Sequence, residues 1–342
     1  MPRGRRHGNP RRGVMDVVNV VVMAPALGPD LSYVSAVDAR VRVIDANNAT
    51  GPEVDAALGV GDVLLVGYPV PSVIVGRAPH LVWAHHTQAG VSNLLATDLW
   101  TSGVTLTSSR GVMAAGPIAE YVVAAAAFFA RGLHEGMRQK QAGQFTRTGY
   151  DMVSLRNATM GVVGLGGIGR EVARQAKGLG MRVLATRRSV TAAAYDTDGV
   201  DCLLPADQLH QMAAESDFLA VCAQLTAETT GMIDASVLSG LKRGAVLINV
   251  ARGEEVDEDA LVEALHKGHL RGAVLDVYDG ELAGQQPRPE LLELPQVLLT
   301  PHISGRGDPA RWEPNRRLFA DNLHRFLLGE PLINIVDRQR GY

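Results

Sequence analysis

Strand-like and helix-like segments alternate along almost the whole of this chain of 342 residues. Because parallel strands need a crossover segment between them, the alternation predicts parallel sheets with helices on both faces. A chain of this length also exceeds one ordinary hydrophobic core, so two domains are expected. The strand-like runs fall into a first series at 18–24, 41–46, 62–67 and 81–86, and a second series at 160–166, 181–187, 201–205, 217–223, 244–251, 272–278 and 297–302.

A glycine-rich turn opens the second series. Gly164, Gly166, Gly167 and Gly169, with Ile168 between the last two, form the pattern G-x-G-x-x-G between the strand-like MGVV and the helical REVARQAKGLG. In this context the glycines allow a tight turn, close approach of the backbone to a pyrophosphate, and close packing of helix on strand. The helix N-terminus adds free N–H groups. The alternative is a glycine-rich turn without a ligand, and the strand–turn–helix context favours a dinucleotide-binding site.

Two arginines end the strand that follows the glycine turn. A dinucleotide site for NAD has an acidic residue about 20 residues past the motif, where it binds the ribose 2′-hydroxyl. Arg187 occupies that place and Arg188 follows it. Guanidinium groups suit a 2′-phosphate, which predicts NADP(H) in preference to NAD(H). The alternative is a pair of solvated arginines; Asp196 and Asp198 are expected to lie too far along the chain to replace the missing acid.

Polar residues follow the last three strand-like runs. Arg252 comes after INVA, Asp276 and Glu281 lie in LDVYDGEL, and His302 lies in LLTPHISG. The carboxyl ends of parallel strands meet at one edge of a sheet, so these loops are expected to converge. These residue types form a coherent catalytic set. The arginine can bind a carboxylate or polarise a carbonyl, the histidine can exchange a proton, and the glutamate can shift the pKa of the histidine.

Four ordered stretches carry a family resemblance: VVGLGGIGREVA, INVARGEEVDEDAL, GAVLDVYDGE and LLTPHISG. The chain resembles the D-isomer-specific 2-hydroxyacid dehydrogenases over residues 18–336. The resemblance implies two flavodoxin-like or Rossmann-like doubly wound α/β domains with a cleft between them. Residues 15–112 and 308–342 would form the substrate domain and 113–307 the dinucleotide-binding domain, after a basic tail at 1–14. The family is usually dimeric, which implies a homodimer.

The resemblance also assigns roles to individual residues. Arg252 matches the substrate-binding arginine, His302 the general acid/base, and Glu281 the acid paired with that histidine. Asp276 matches a residue at the nicotinamide end of the cofactor. The remaining matches are the cofactor-lining residues Thr226, Val250, Ala251, Ser304 and Gly305, and the backbone amides of Ala89, Gly90 and Val91, which would hold the substrate carboxylate.

The implied reaction is hydride transfer between NAD(P)H and the C2 carbonyl of a small 2-keto acid such as glyoxylate or hydroxypyruvate. A carboxylate at Glu281 would favour the protonated form of His302. The family also contains transcriptional corepressors that bind dinucleotides and retain these residues. A dinucleotide-sensing binding protein is therefore the alternative.

Composition narrows the partners and the compartment. The net charge of −3 gives no indication of a nucleic-acid or anionic-membrane partner, and no apolar run is long enough to span a membrane. Two cysteines indicate a reducing, cytoplasmic setting, although the basic start with Arg11 and Arg12 leaves export as an alternative. His85 and His86 are adjacent on a strand, so one is expected to face the cleft and one the core, and no metal site is predicted. A single long helix is expected from about residue 117 to residue 141.

Overall fold

The computed structural model describes residues 16–112, 115–307, 312–339 and 341. The predicted basic tail, and residues 113 and 308 at the predicted domain boundaries, lie outside these ranges. The strands are β1 (Val18–Met23), β2 (Val41–Asp45), β3 (Val63–Val66), β4 (Trp83–His86), β5 (Thr105–Ser108), β6 (Thr159–Val163), β7 (Arg182–Arg187), β8 (Ala194–Thr197), β9 (Val200–Pro205), β10 (Phe218–Val221), β11 (Val246–Asn249), β12 (Gly272–Leu275) and β13 (Val297–Leu299). The helices are α1 (Ser32–Ser35), α2 (Gly51–Val60), α3 (Asp98–Thr101), α4 (Ala115–Ala130), α5 (Leu133–Gln141), α6 (Gly167–Gly178), α7 (Leu209–Glu215), α8 (Ala235–Gly240), α9 (Glu258–His266), α10 (Pro289–Glu293) and α11 (Glu313–Leu328).

The chain divides into two compact units, residues 1–113 with 309–342 and residues 114–308. In the first unit the strands are all parallel and pair in the order β2-β1-β3-β4-β5, the flavodoxin order. Both faces of this sheet are covered, since Val63 and Leu65 belong to one buried cluster and Leu64 and Val66 to another. Burial on both faces explains why β3, with the sequence VLLV, is a continuous apolar run rather than an alternating one.

The C-terminal helix packs on the first unit. Phe319 of α11 stacks on Trp83 of β4 with ring centroids 5.4 Å apart, and both side chains are fully buried. Leu323 joins the same cluster, so this face of α11 covers one side of the first sheet. Burial of large aromatic side chains at this point stabilises the return of the chain to its N-terminal sheet.

The second unit has the strand order β13-β12-β11-β10-β6-β7-β9-β8. Apart from β8, which is antiparallel to β9, neighbouring strands are parallel. The order is that of a Rossmann sheet with additional edge strands, and it reverses between β6 and β10. The predicted fold class, two doubly wound parallel-sheet α/β domains, is confirmed.

Two strands and one helix break differ from the sequence predictions. Strands β5 and β8 were not expected, because TLTS and AYDT lack a β-branched apolar run. The prediction of a single long helix from about 117 to 141 is wrong: α4 ends at Ala130 and α5 begins at Leu133. Gly132 between them adopts a left-handed conformation at φ +67°, and a Cβ there would lie 2.9 Å from Cδ1 of Tyr150. Glycine alone enters this conformation at little cost, so the helix breaks there.

The expectation that one of His85 and His86 faces a cleft is also wrong, because neither side chain is exposed. The imidazole of His85 shares hydrogen bonds with the hydroxyls of Thr107 (2.8 Å) and Ser109 (3.1 Å). Burial lowers the pKa of His85 to about 3, so the ring is neutral at physiological pH. The described ranges contain no group of three or more His, Cys, Asp or Glu side chains arranged to hold a metal ion.

Candidate active site

Three loops of the second unit follow neighbouring strands. Arg252 comes three residues after β11, Asp276 comes directly after β12, and His302 comes three residues after β13. Because β11, β12 and β13 pair in parallel, all three loops leave the sheet at the same edge. The convergence predicted from the sequence is therefore present in the strand topology.

His302 and Glu281 form a close pair in these loops. Nδ1 of His302 lies 2.7 Å from Oε1 of Glu281, and the two side chains are 43% and 20% exposed. A carboxylate accepts hydrogen bonds, so the proton belongs on Nδ1. The carboxylate then fixes the orientation of the ring and leaves Nε2 as the nitrogen that can exchange a proton with another molecule.

Asp276 holds the loop that carries His302. Its buried carboxylate accepts hydrogen bonds from the Thr300 hydroxyl (2.6 Å) and from the backbone amides of Ile303 and Ser304 (2.8 Å each). Its backbone carbonyl accepts the amide of His302 at 2.9 Å. His302 itself lies at φ +52°, a conformation that is uncommon for a residue with a side chain. The Asp276 contacts stabilise that conformation; contact of Asp276 with a cofactor stays a prediction.

Tyr121 is a residue that the sequence reasoning missed. Its hydroxyl lies 2.6 Å from the Thr300 hydroxyl, which in turn donates to Asp276. Burial raises the pKa of Tyr121. The available signal was a tyrosine in the alanine-rich and largely apolar helix α4, because a partly buried phenol hydroxyl usually has a hydrogen-bond partner.

Arg252 lies in a tight turn that Asn249 holds. The Asn249 side chain accepts the amide of Ala251 (3.0 Å) and donates to the carbonyl of Arg252 (2.8 Å). Gly253 comes next, and a Cβ there would lie 1.8 Å from the carbonyl carbon of Tyr278 in the loop after β12. Only glycine therefore lets the Arg252 loop and the Tyr278 loop approach so closely.

A buried carboxylate lies beside Arg252. Glu255 is fully buried, and its Oε2 accepts the backbone amide of Arg252 at 3.2 Å. Burial raises the pKa of Glu255 to about 7, against the opposing effects of Arg252 and the Thr229 hydroxyl. Burial also lowers the pKa of the Arg252 guanidinium, which Glu255 and Glu281 oppose. Sequence reasoning treated Glu255 only as part of a motif.

Glu255 makes the stability of the protein depend on pH. In the unfolded chain this carboxyl ionises near pH 4.5 and in the folded chain near pH 7, so the free energy of unfolding falls as pH rises through that window. We expect Glu255→Gln, which removes the ionisation, to exceed the parent in stability by about 3 kcal/mol at pH 8 and to lose that advantage near pH 4.5. Thermal unfolding at both pH values measures the difference. Glu293→Gln, at an exposed acid of the same unit, is the control; an advantage of E255Q that is equal at both pH values would contradict the prediction.

The glycine turn follows β6 and leads into α6. Gly164 lies at φ +91°, and a Cβ there would be 2.7 Å from Cα of Ala223. A Cβ on Gly169 would be 2.2 Å from the carbonyl oxygen of Gly164, whereas a Cβ on Gly166 would meet nothing within 4 Å. The turn is thus tightly packed at two glycines and open at Gly166, the N-cap of α6. Open space beside free helix N–H groups fits a dinucleotide pyrophosphate.

Gly167 and Ile168 form the first turn of α6. The other predicted cofactor residues lie at the same edge of the sheet. Thr226 is in the loop after β10, where its amide donates to the Thr229 hydroxyl at 2.8 Å. Val250 and Ala251 are both buried directly after β11. Ser304 and Gly305 follow His302, and the Ser304 amide is bound by Asp276.

Both arginines after the glycine turn are paired with acids. Arg187, the last residue of β7, lies 3.1 Å from Asp198, and Arg188 lies 3.2 Å from Glu228. The expectation that Asp198 lies too far along the chain is wrong. The β8–β9 hairpin turns at Asp198 and brings its carboxylate back to the end of β7.

The predicted substrate loop belongs to the first unit, after β4. Ala89 and Gly90 are partly exposed and Val91 is buried. Among the described residues, none of these three backbone amides donates a hydrogen bond. Adjacent amides without internal partners are suited to binding an anion.

Residues 123–304 match the model of the family described as D-isomer specific 2-hydroxyacid dehydrogenase, NAD binding domain. That match covers more than half of the chain. The chain belongs to the D-isomer-specific 2-hydroxyacid dehydrogenase family. It is 32% identical to a glyoxylate reductase of Korarchaeum cryptofilum over 282 residues, which are 81% of this chain and 82% of the relative. The predicted class, an NAD(P)-dependent oxidoreductase acting on 2-hydroxy acids, is confirmed.

Two solved structures extend the family likeness to the whole fold. A D-isomer-specific 2-hydroxyacid dehydrogenase from Xanthobacter autotrophicus Py2, in complex with NADPH, is 28% identical with a TM-score of 0.78 and covers 95% of this chain and 100% of its own. An NADPH-dependent glyoxylate/hydroxypyruvate reductase from Sinorhizobium meliloti is 25% identical, with the same TM-score and coverage. None of these relatives is a corepressor. No described helix of this family member is long and apolar enough to cross a membrane.

Proposed function

We propose that this family member reduces a small 2-keto acid, such as glyoxylate or hydroxypyruvate, to the D-2-hydroxy acid, with NADPH preferred over NADH. The observation that carries the proposal is the pair of His302 and Glu281 at 2.7 Å, on the same sheet edge as Arg252. The relatives named glyoxylate reductase support the choice of substrate.

The side chains on the loops after β11, β12 and β13 have separate roles in the proposed reaction. The dinucleotide, when bound, supplies the hydride that reaches C2. His302 donates a proton from Nε2 to the C2 oxygen, and Glu281 holds the imidazole through Nδ1 and stabilises its charged form. Arg252 stabilises the negative charge that develops on the C2 oxygen and binds the substrate carboxylate. The amides of Ala89, Gly90 and Val91 would hold a substrate carboxylate, as the family resemblance implies.

The dinucleotide is assigned to the glycine turn and the loops around it. The pyrophosphate would be held by Gly164, Gly166, Gly167, Ile168 and Gly169. Further contacts with the dinucleotide would come from Thr226, Val250, Ala251, Asp276, Ser304 and Gly305. Arg187 and Arg188 would bind the 2′-phosphate, which supports the preference for NADPH. Residues 15–112 with 308–342 would be the substrate domain and 113–307 the dinucleotide domain.

Two further assignments complete the proposal. The protein would be a homodimer, as the family resemblance implies. It would act in the cytoplasm, because Cys202 and Cys222 are both free thiols, which suits a reducing compartment. Sedimentation analysis of the purified protein tests the first assignment.

A panel of 2-keto acids tests the reaction. Glyoxylate, hydroxypyruvate and pyruvate are offered with NADPH and with NADH in parallel, and oxidation of the nicotinamide is followed by absorbance. We expect turnover of at least one small 2-keto acid, faster with NADPH at equal concentration. If no acid were reduced while the dinucleotide still bound, the reductase proposal would fail and the binding-protein alternative would be favoured.

A further inference from the structure

We propose that Asp198 and Glu228 set the cofactor selectivity of this protein, by competing with the cofactor's 2′-phosphate for Arg187 and Arg188. The inference rests on the proposed function, because it concerns the same dinucleotide site. It assigns a role to two acids that lie on different loops, outside the four stretches that carry the family resemblance.

Asp198 contacts two arginines at once. Its Oδ2 lies 3.1 Å from Nη1 of Arg187, and its Oδ1 lies 3.0 Å from Nη1 of Arg170. Arg170 is in the first turns of α6, directly after Gly169, and Arg187 ends β7. The carboxylate therefore joins the helix that follows the glycine turn to the strand end where the ribose is expected. It is 33% exposed, so water screens these contacts only partly.

Glu228 gives Arg188 a separate partner. It lies on the loop after β10, two residues past Thr226, and its Oε2 is 3.2 Å from Nη1 of Arg188. Its side chain is 70% exposed, against 33% for Asp198. An exposed single contact is weaker than a less exposed double one. Glu228 is therefore expected to have the smaller effect of the two.

The charges decide the direction of the effect. Three guanidinium groups and two carboxylates leave one net positive charge at this end of the sheet. A 2′-phosphate brings about −1.5 to −2 charges and must share the arginines with both acids or displace them. NAD(H) has a ribose hydroxyl in its place, which meets no such repulsion and can donate a hydrogen bond to a carboxylate. The two acids thus lower the affinity for NADPH and narrow its advantage over NADH.

Direct binding of NADPH and NADH by calorimetry tests this, in the parent and in Asp198→Asn, Glu228→Gln and the double variant. Asparagine tolerates the φ of +53° at position 198 and keeps the size of the side chain. We expect D198N to lower the Kd for NADPH about three- to tenfold and E228Q less, with the Kd for NADH changed by less than about twofold. The gain should shrink in high salt.

Glu215→Gln is the matched control. Glu215 pairs with Arg182 at the opposite end of β7, at 2.6 Å, so its loss changes the net charge equally but far along the strand from Arg187. We expect E215Q to leave the ratio of the two Kd values unchanged. An equal shift in E215Q, or weaker NADPH binding in D198N, would overturn the proposal. Because binding is measured without turnover, failure of the keto-acid panel would leave this result intact.

Discussion

Replacing His302 by alanine is expected to lower kcat by about 10²- to 10⁴-fold and to leave the Kd of the dinucleotide nearly unchanged. The variant removes the nitrogen that donates the proton to the C2 oxygen, so the developing charge is no longer neutralised. The side chain of His302 is 43% exposed, and the described structure gives it one side-chain partner, Glu281. Its loss therefore leaves no buried polar group without a contact, and the fold should survive.

Steady-state kinetics with the substrate found in the panel, together with calorimetry of the dinucleotide, measures both quantities. His266→Ala is the control, because His266 ends α9 and is an exposed histidine of the same unit. It should behave as the parent does. Activity of H302A within about tenfold of the parent would rule out proton donation by this residue, given the size expected for general acid catalysis.

The sequence predicted the parts of the fold that depend on local pattern. Largely apolar runs such as VLIN and GAVL became the buried parallel strands β11 and β12, because a strand covered on both faces is mostly apolar. Parallel pairing then places the loops after those strands together. This is why Arg252, Glu281 and His302 could be grouped from the sequence before any distance was known.

Features that depend on contacts between distant segments could not be predicted. The polar strand β8 has no apolar run, and it becomes a strand only because β9 pairs with it. That hairpin brings Asp198 to Arg187, although the two lie 11 residues apart in sequence. An open loop of this length would leave Asp198 away from the end of β7, whereas the hairpin folds it back. The number of residues between two groups limits their distance but does not fix it.

The burial of individual polar side chains could not be predicted from the sequence either. Glu255 lies in a run of acids, EEVDED, that looks solvent-exposed, yet its side chain is fully buried against the Arg252 turn. The short helical turn at Gly253–Glu255 points it inward, where its carboxylate accepts the Arg252 amide. Tyr121 of α4 is partly buried, and its contact with Thr300 was not predicted either. For both residues, a contact made in the folded structure decides the role of the side chain, and the composition of the chain does not predict that contact.

Replacing Arg252 by alanine is expected to lower kcat/KM about 10³-fold, with both a higher KM and a lower kcat. The guanidinium is proposed to bind the substrate carboxylate in the ground state and the C2 oxygen in the transition state. Arg252→Lys should recover little, because one ammonium cannot reproduce the planar pair of donors. Arg243→Ala, at an exposed arginine before β11, is the control and should match the parent.

The R252A variant also removes a positive charge that interacts with Glu255, so lost activity could arise from disturbance of the turn. The double variant R252A/E255Q separates the two causes. If Arg252 binds substrate, the double variant stays as inactive as R252A, because removing the buried charge restores no donor to the substrate. Recovery of kcat/KM to within about tenfold of E255Q would instead show that Arg252 acts by neutralising Glu255. The loss of one substrate-binding donor alone is expected to lower kcat/KM by more than about tenfold. The double variant thus distinguishes substrate binding by Arg252 from neutralisation of Glu255.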